Sequence, residues 1–383
     1  MKLMPQFARL NIIILLVLMT ILVVYKASRY TIGDEEPFYS ARTGKFSAYD
    51  QECSKFNGSV DNPFFLNYTS VLRDVAYYST SLDSIKRGTY HFAVNSQPKA
   101  YLARRAIRKT WKKVLVACTE NGEASCSGSL RFYIGQTSNE GTALRLKKEM
   151  QKYDDIVLLQ FCDKYENLAL KTFHIMNYVS QQIEHPSNES APKFVVKIDD
   201  DVLPDLSAFF TCFPTLQNAS FGIYGWVTLG SASVRKWDKY RISRKRWNHT
   251  LFPAFAHGPA YAAQVGTLPV LLGEARRTAV LNLEDVWFTG IVAEKAGVKR
   301  MRINRFLNVG ESFLQVKTAA NSSLRAGFFH HSFSSRMLLV LWQNMRNCSM
   351  CIQNCDLFRE PAIQYSQSHP LSKYLKPKQA PHE

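Results

Sequence analysis

The stretch Lys193–Leu206 reads KFVVKIDDDVLPDL, an apolar segment of β type that ends in three adjacent aspartates. Side by side, Asp199, Asp200 and Asp201 repel one another, and holding them in one place costs free energy unless a cation neutralises them. The cluster is either a solvated turn or a metal site. Working outward, TYHFAVNS from Thr89 alternates like a strand, and YLARRAIRKTW from Tyr101 has helical spacing with a basic face. VLVAC and LRFYIG read as strands, TALRLKKEMQKY as a helix, DIVLLQF as a strand and LALKTFHIMNYVSQQI as an amphipathic helix. Strands alternating with helices imply an α/β architecture with a central mixed, mainly parallel sheet. Such sheets bind ligands at the carboxyl ends of their strands, where the aspartates sit.

The composition narrows the partners. A hydrophobic fraction of 46% and an aromatic fraction of 13% describe a globular core, and 383 residues suffice for a large catalytic domain. The net charge of +17 invites nucleic acid, but the chain carries N-x-[ST] acceptor sequons at Asn57, Asn67, Asn188, Asn218, Asn248, Asn321 and Asn347, which together indicate a lumenal protein. Eight cysteines are compatible with an oxidising compartment. Leu10–Tyr25 is an apolar run flanked by Lys2, Arg9, Lys26 and Arg29. It is shorter than the roughly 20 residues of a full span, so a cleaved signal peptide is the alternative, but no small-x-small cleavage site follows it. The reading is an uncleaved type II signal anchor. The organisation expected is a cytoplasmic tail at 1–9, an anchor at 10–25, a lumenal stem at 26–87, a catalytic domain at 88–345 and a cysteine-containing tail at 346–383.

From Tyr90 to Trp342 the chain resembles the β-1,3-glycosyltransferase family that includes β-1,3-galactosyl- and β-1,3-N-acetylglucosaminyltransferases. ARRAIRKTW (103–111), RFYIG (131–135), EMQKYDDIVLLQFCDKYENLALKT (149–172), KIDDDV (197–202), VRKW (234–237), FPAFAHGPAY (252–261), LEDVWFTG (283–290) and HSFSSRMLLVLW (331–342) follow in the family's order. The chain departs from the family at Ala256–Ala260, where a cysteine and paired glycines are usual, and this leaves donor and acceptor identity open.

The resemblance implies a GT-A-type nucleotide-sugar-binding fold and inverting, manganese-dependent transfer of a hexose, galactose first and N-acetylglucosamine second, from a UDP-sugar to a glycan on protein or lipid in the Golgi. It implies manganese on Asp199 and Asp201 with His331 as the further ligand and His330 as its rival. Asp199 and Asp200 then also face the ribose and donor sugar. Asp285 is the implied base, with Glu284 as fallback; for an unknown helix, acids in the first turn merely complement its dipole. Arg104 and Arg108, four apart on one helical face, are either a solvated basic face or a pair near the donor nucleotide. The basic segment Val234–Arg246 reads as a loop whose first part helps hold UDP. CSMCIQNC (348–355) reads as disulfide cysteines, zinc lacking further ligands. A catalytically silent nucleotide- or glycan-binding relative and a metal-dependent phosphodiesterase are the competing classes; the second needs further ligands for another ion.

Overall fold

A computed structural model describes residues 77–79, 89–183 except 124, 192–216, 222–229, 240, 242, 244, 247–308, 327–331, 333–346, 355 and 364–365, all within the compact unit Ser47–Glu383. The apolar run Leu10–Tyr25, the VRKW block and most of the basic segment after it lie outside the described residues. No helix among those described is long and apolar enough to cross a membrane.

The strands are β1 (Tyr77–Ser79), β2 (Tyr90–Asn95), β3 (Gly128–Gln136), β4 (Ile156–Cys162), β5 (Phe194–Asp199), β6 (Leu203–Pro204), β7 (Gly222–Thr228), β8 (Phe255–Gln264), β9 (Lys299–Arg302), β10 (Leu307–Asn308), β11 (Phe329–His330) and β12 (Gln364–Tyr365). Nine of them form one sheet in the order β1-β4-β3-β2-β5-β8-β7-β9-β12. The β4-β3-β2-β5 centre is parallel, and β8 is antiparallel to both neighbours. The expected mixed, mainly parallel sheet is therefore present.

The helices are α1 (Tyr101–Lys109), α2 (Trp111–Glu120), α3 (Glu140–Lys152), α4 (Leu168–Ile183), α5 (Leu206–Leu216), α6 (Leu268–Ala275) and α7 (Ser335–Arg346), with a π-helical segment at Val286–Val292. They cover both faces of the sheet, as a parallel sheet requires. Alternation along β5 sends Phe194, Val196 and Ile198 into a core shared with Ile107, Trp111 and Leu115 of α1 and α2 and with Phe209 and Phe213 of α5. Val195 faces the opposite core, built on Phe173 and Met176 of α4, Leu271 of α6 and the π-helical Trp287. Lys197 and Asp199 share the parity of Val195, so both project toward that second layer.

One reading needs correction. VLVAC is not a strand but the middle of α2. Trp111 and Leu115, one helical turn apart, are both buried in the core, and that contact outweighs the β-branched character of the run. Two short strands outside 88–345 also join the sheet. Tyr77–Ser79 pairs antiparallel with β4 and Gln364–Tyr365 with β9, covering edges that would otherwise expose unpaired backbone groups. Cys355 is bonded to Cys212 of α5 and Cys118 to Cys126, in line with the disulfide reading of the cysteines.

Candidate active site

The three aspartates leave the carboxyl end of β5 and diverge. Asp199 accepts hydrogen bonds on Oδ1 from Asn95 Nδ2 (2.9 Å) and Lys197 Nζ (2.7 Å). Asp200 accepts from Ser96 Oγ at 2.6 Å. Burial pushes its carboxyl up to about 6; the Ser96 bond and Lys171 pull it down, and the flanking aspartates push it up. Asp201 projects outward, its side chain 44% exposed, with Oδ2 3.4 Å from His331 Nε2.

That meeting is built by a second, three-stranded sheet. β6 follows the aspartates and pairs antiparallel with β11, so His330 lies opposite Leu203 and the chain leaves β11 directly into His331. The Phe333 amide then donates to the Asp201 carbonyl at 3.0 Å, closing the turn. Of the two rival histidines, His330 is buried and His331 faces Asp201.

A preformed cage of three ligands is not present here. Among the described residues the one group of metal-type ligands drawn within 4.8 Å of each other is Cys118, Glu123 and Cys126, and its two cysteines form a disulfide. Asp199 turns instead to Asn95 and Lys197. An exposed carboxylate beside an imidazole nonetheless suits a hard divalent ion that takes one or two side chains and completes its shell with water and substrate phosphates. The residues present fit manganese in that sense.

Linked to Asp199 through Lys197 are Glu284 and Asp285, which precede the π-helical segment. Glu284 is closed off, its side chain 2% exposed. Its Oε1 accepts from Thr172 Oγ1 (2.8 Å) and Tyr261 Oη (3.1 Å), and its Oε2 lies 3.7 Å from Lys197 Nζ. Burial pushes this carboxyl up to about 7, with Lys197 pulling it down and Asp285 pushing it up. Asp285 is half-buried. It accepts from Val286 N–H on Oδ1 (2.9 Å) and from Gly258 N–H on Oδ2 (3.1 Å), leaving a lone pair on each oxygen. Thr289 fixes it from below: its hydroxyl donates to the Asp285 carbonyl (2.6 Å) and also joins Ala256 of β8. A π-helical turn beside a candidate catalytic group is a recurrent arrangement.

The departures at Ala256–Ala260 form a bulge. Pairing of β7 with β8 jumps from Gly225↔Tyr261 to Val227↔Ala256, so Trp226 alone spans 257–260. Pro259, which has no N–H for a ladder, is tolerated there. The bulge presses Gly258 against the acids; a Cβ on it would lie 3.1 Å from Glu284 Oε2. His257 is bonded through Nε2 to Thr228 Oγ1 at 2.5 Å. Burial holds its imidazole below the ordinary value while Asp285 pulls the other way.

Arg104 and Arg108 stand behind the site. All five guanidinium N–H groups of Arg104 are used within the protein, on Glu149, Ser96 Oγ and the Gln97 and Pro98 carbonyls, and its side chain is fully buried. Arg108 binds Glu149 and Asp155 and stacks 4.0 Å from the Tyr153 ring centre. Arg104 thus reaches the site through Ser96, which it fixes for Asp200. Sequence reasoning left out Lys197, Lys171, Asn95, Ser96 and Thr172. The available signal was the Lys-x-Asp spacing on β5, which puts a lysine on the same face as Asp199, turned into the protein. Lys171 is buried, donating to Ser96 O (2.6 Å) and Asp163 (2.7 Å).

Residues 102–304 match the galactosyltransferase family model, and the chain belongs to that family. It is 22% identical to the Caenorhabditis elegans β-1,3-galactosyltransferase bre-2 over 68% of this chain and 75% of that protein. It is 26% identical to the Arabidopsis thaliana β-1,3-galactosyltransferase GALT1 over 49% of this chain and 27% of that protein. With mouse β-1,3-galactosyltransferase 1 the identity is 25% over 54% of this chain and 60% of its relative. The chain therefore spans less than two thirds of the plant and mouse relatives. Among solved structures, the galactosyltransferase LgtC superposes with a TM-score of 0.31 at 9% identity, covering 69% of this chain and 98% of that one.

Proposed function

We propose that this protein is an inverting β-1,3-hexosyltransferase that moves galactose from UDP-galactose to a glycan hydroxyl, with UDP-N-acetylglucosamine as the alternative donor. The observation that carries the reading is the set of contacts gathered where β5 ends. Asp201 and His331 lie 3.4 Å apart, and Lys197, bonded to Asp199, also holds Gly258, whose N–H donates to Asp285. Manganese on Asp201 and His331 would neutralise the departing pyrophosphate as a Lewis acid.

The rest of the work belongs to side chains of the chain itself. Asp199 and Asp200, fixed by Asn95 and Ser96, are placed to accept hydroxyl hydrogens from the ribose and donor sugar. Asp285 takes the proton of the acceptor hydroxyl as that oxygen attacks the anomeric carbon on the face opposite UDP, which inverts the configuration. Glu284 is unsuited to this step, because it is buried and its oxygens are engaged by Thr172, Tyr261 and Lys197. The bulge at His257–Pro259 borders Asp285 and is the natural determinant of which acceptor enters. We assign the protein to the Golgi lumen as a type II membrane protein on the apolar run at Leu10–Tyr25 and the sequons.

The test is transfer by the full-length chain from UDP-galactose and UDP-N-acetylglucosamine to a panel of glycan acceptors, with manganese and with a chelator. Metal-dependent formation of a β-1,3 linkage is expected. UDP binding without transfer to any acceptor would establish the silent relative instead.

A further inference from the structure

Lys197 is fully buried in the sheet, between the two halves of the site. Its ammonium donates to Asp199 Oδ1 at 2.7 Å and to the Gly258 carbonyl, and lies 3.7 Å from Glu284 Oε2. Two hydrogen bonds and one ion-pair neighbour surround its three N–H groups; burial pushes the amine down, but Asp199, Glu284 and the hydrogen bond to Asp199 hold it above the ordinary lysine value. Gly258 is the hinge of the arrangement, through the two peptide groups that meet at its Cα. Its carbonyl is held by Lys197, while its own N–H holds Asp285 Oδ2 at 3.1 Å. A continuous path thus runs from Asp199 through Lys197 and Gly258 to Asp285. Gly258 lies in the bulge, between the β7–β8 pairs at Ala256 and Tyr261.

We infer that Lys197 is a positioning residue that sets the placement of the Asp285 carboxylate relative to the donor-side Asp199, through residue Gly258. This rests on the reading of Asp285 as the base. Lys197 touches neither donor nor acceptor. It converts the position of one carboxylate into the position of the other, so that the base stands where the acceptor oxygen attacks. Without the ammonium, Asp199 and Glu284 lose a shared counter-charge and Gly258 loses the donor on its carbonyl, which frees the bulge to shift. Displacement of a general base by about 1 Å is enough to cost on the order of 10²-fold in rate.

Two measurements on the full-length chain test the inference. The first is hydrogen exchange of the Gly258 and Val286 amides without ligand, in Lys197→Met and in Lys197→Met/Glu284→Gln, the second variant relieving the uncompensated carboxylate should the first fold poorly. Exchange at Gly258 should accelerate at least ~10-fold while the interior amides of β2 keep their protection. Parental protection at Gly258 in both variants overturns the inference. The second is a kinetic cycle with Asp285→Asn. Lys197→Met should lower kcat by about 10²-fold in the parent with little change in donor KM, and by less than about threefold when Asp285 is already an amide. Equal losses in the two backgrounds, or a parental kcat, overturn it as well. If the parent transfers sugar from neither UDP-galactose nor UDP-N-acetylglucosamine, the glycosyltransferase reading fails, and the exchange result still decides the role of Lys197.

Discussion

At the scale of single residues, Asp201 and Asp285 carry opposite expectations. Asp201 faces His331 at 3.4 Å, where we propose that the ion binds. Asp201→Ala should weaken manganese-dependent UDP binding and lower transfer by at least ~10²-fold, since the ion supplies several kcal/mol of charge stabilisation. Calorimetry with UDP and manganese checks the first effect; unchanged affinity would remove Asp201 from the ion side. Asp285→Asn keeps the shape of the side chain but cannot take a proton, so kcat should fall by about 10²–10⁴-fold while UDP affinity stays near the parent. Glu284→Gln should be milder on chemistry. If it proves the inactive variant while Asp285→Asn works, the base has been placed one residue too far along the chain. The acids were legible because three adjacent aspartates after an apolar strand demand explanation, and because ordered motifs gave them a context. Lys197 was harder to read. A lysine in a strand ordinarily lies on a solvated face, and only the bulge of β8, which pairs with a distant part of the chain, shows what it binds.

Elements were legible where one periodicity dominated. α4 runs over the residues of its apolar pattern, Leu168–Ile183, and β5 ends on Asp199. VLVAC failed because a short β-branched run does not reveal that Trp111 and Leu115 must share a helical face. The contacts of the α1 arginines were hidden for a related reason: the sequence shows their spacing but not their shared partner, Glu149 on α3. Arg104, Arg108, Glu149 and Asp155 form a buried charge network joining α1 to α3 and the start of β4. Glu149→Gln leaves two guanidinium groups short of a counter-charge and should lower stability by about 3–5 kcal/mol, the usual cost of breaking a buried pair. Chemical unfolding measures that loss. At Asp155, burial pushes the carboxyl up, but Arg108 and Lys112 outweigh it and hold the group below its usual 3.8. A depressed folded-state pKa contributes stability above the ordinary value and loses it as pH falls through the folded one. Stability should therefore drop below about pH 4 in the parent, and this acid-dependent loss should be smaller in Asp155→Asn.

Across the whole molecule the unexpected feature is how the C-terminal segment is fastened. The use of Cys355 in a disulfide was legible, but pairing across long separations has no local sequence signature. Cys355 reaches back to Cys212 on α5, a separation of 143 residues, and Gln364–Tyr365 covers the outer edge of β9. The enclosed span contains β7, β8, the bulge, Asp285 and His331, so one bond encircles half of the candidate site. Closing a longer loop removes more freedom from the unfolded chain. On that model the Cys212–Cys355 bond stabilises by about 5 kcal/mol and the Cys118–Cys126 bond, with a separation of 8, by about 2.5 kcal/mol. Cys355→Ser should therefore lower the non-reducing melting temperature more than Cys126→Ser. At temperatures below both transitions the two variants should transfer sugar at the parental rate, because neither bond touches the acids, Lys197 or His331. Thermal unfolding of the two variants beside the parent decides it. A larger fall for Cys126→Ser would mean that the long bond constrains the unfolded chain less than its span implies, and that β12 and the packing of α5 already hold the tail in place.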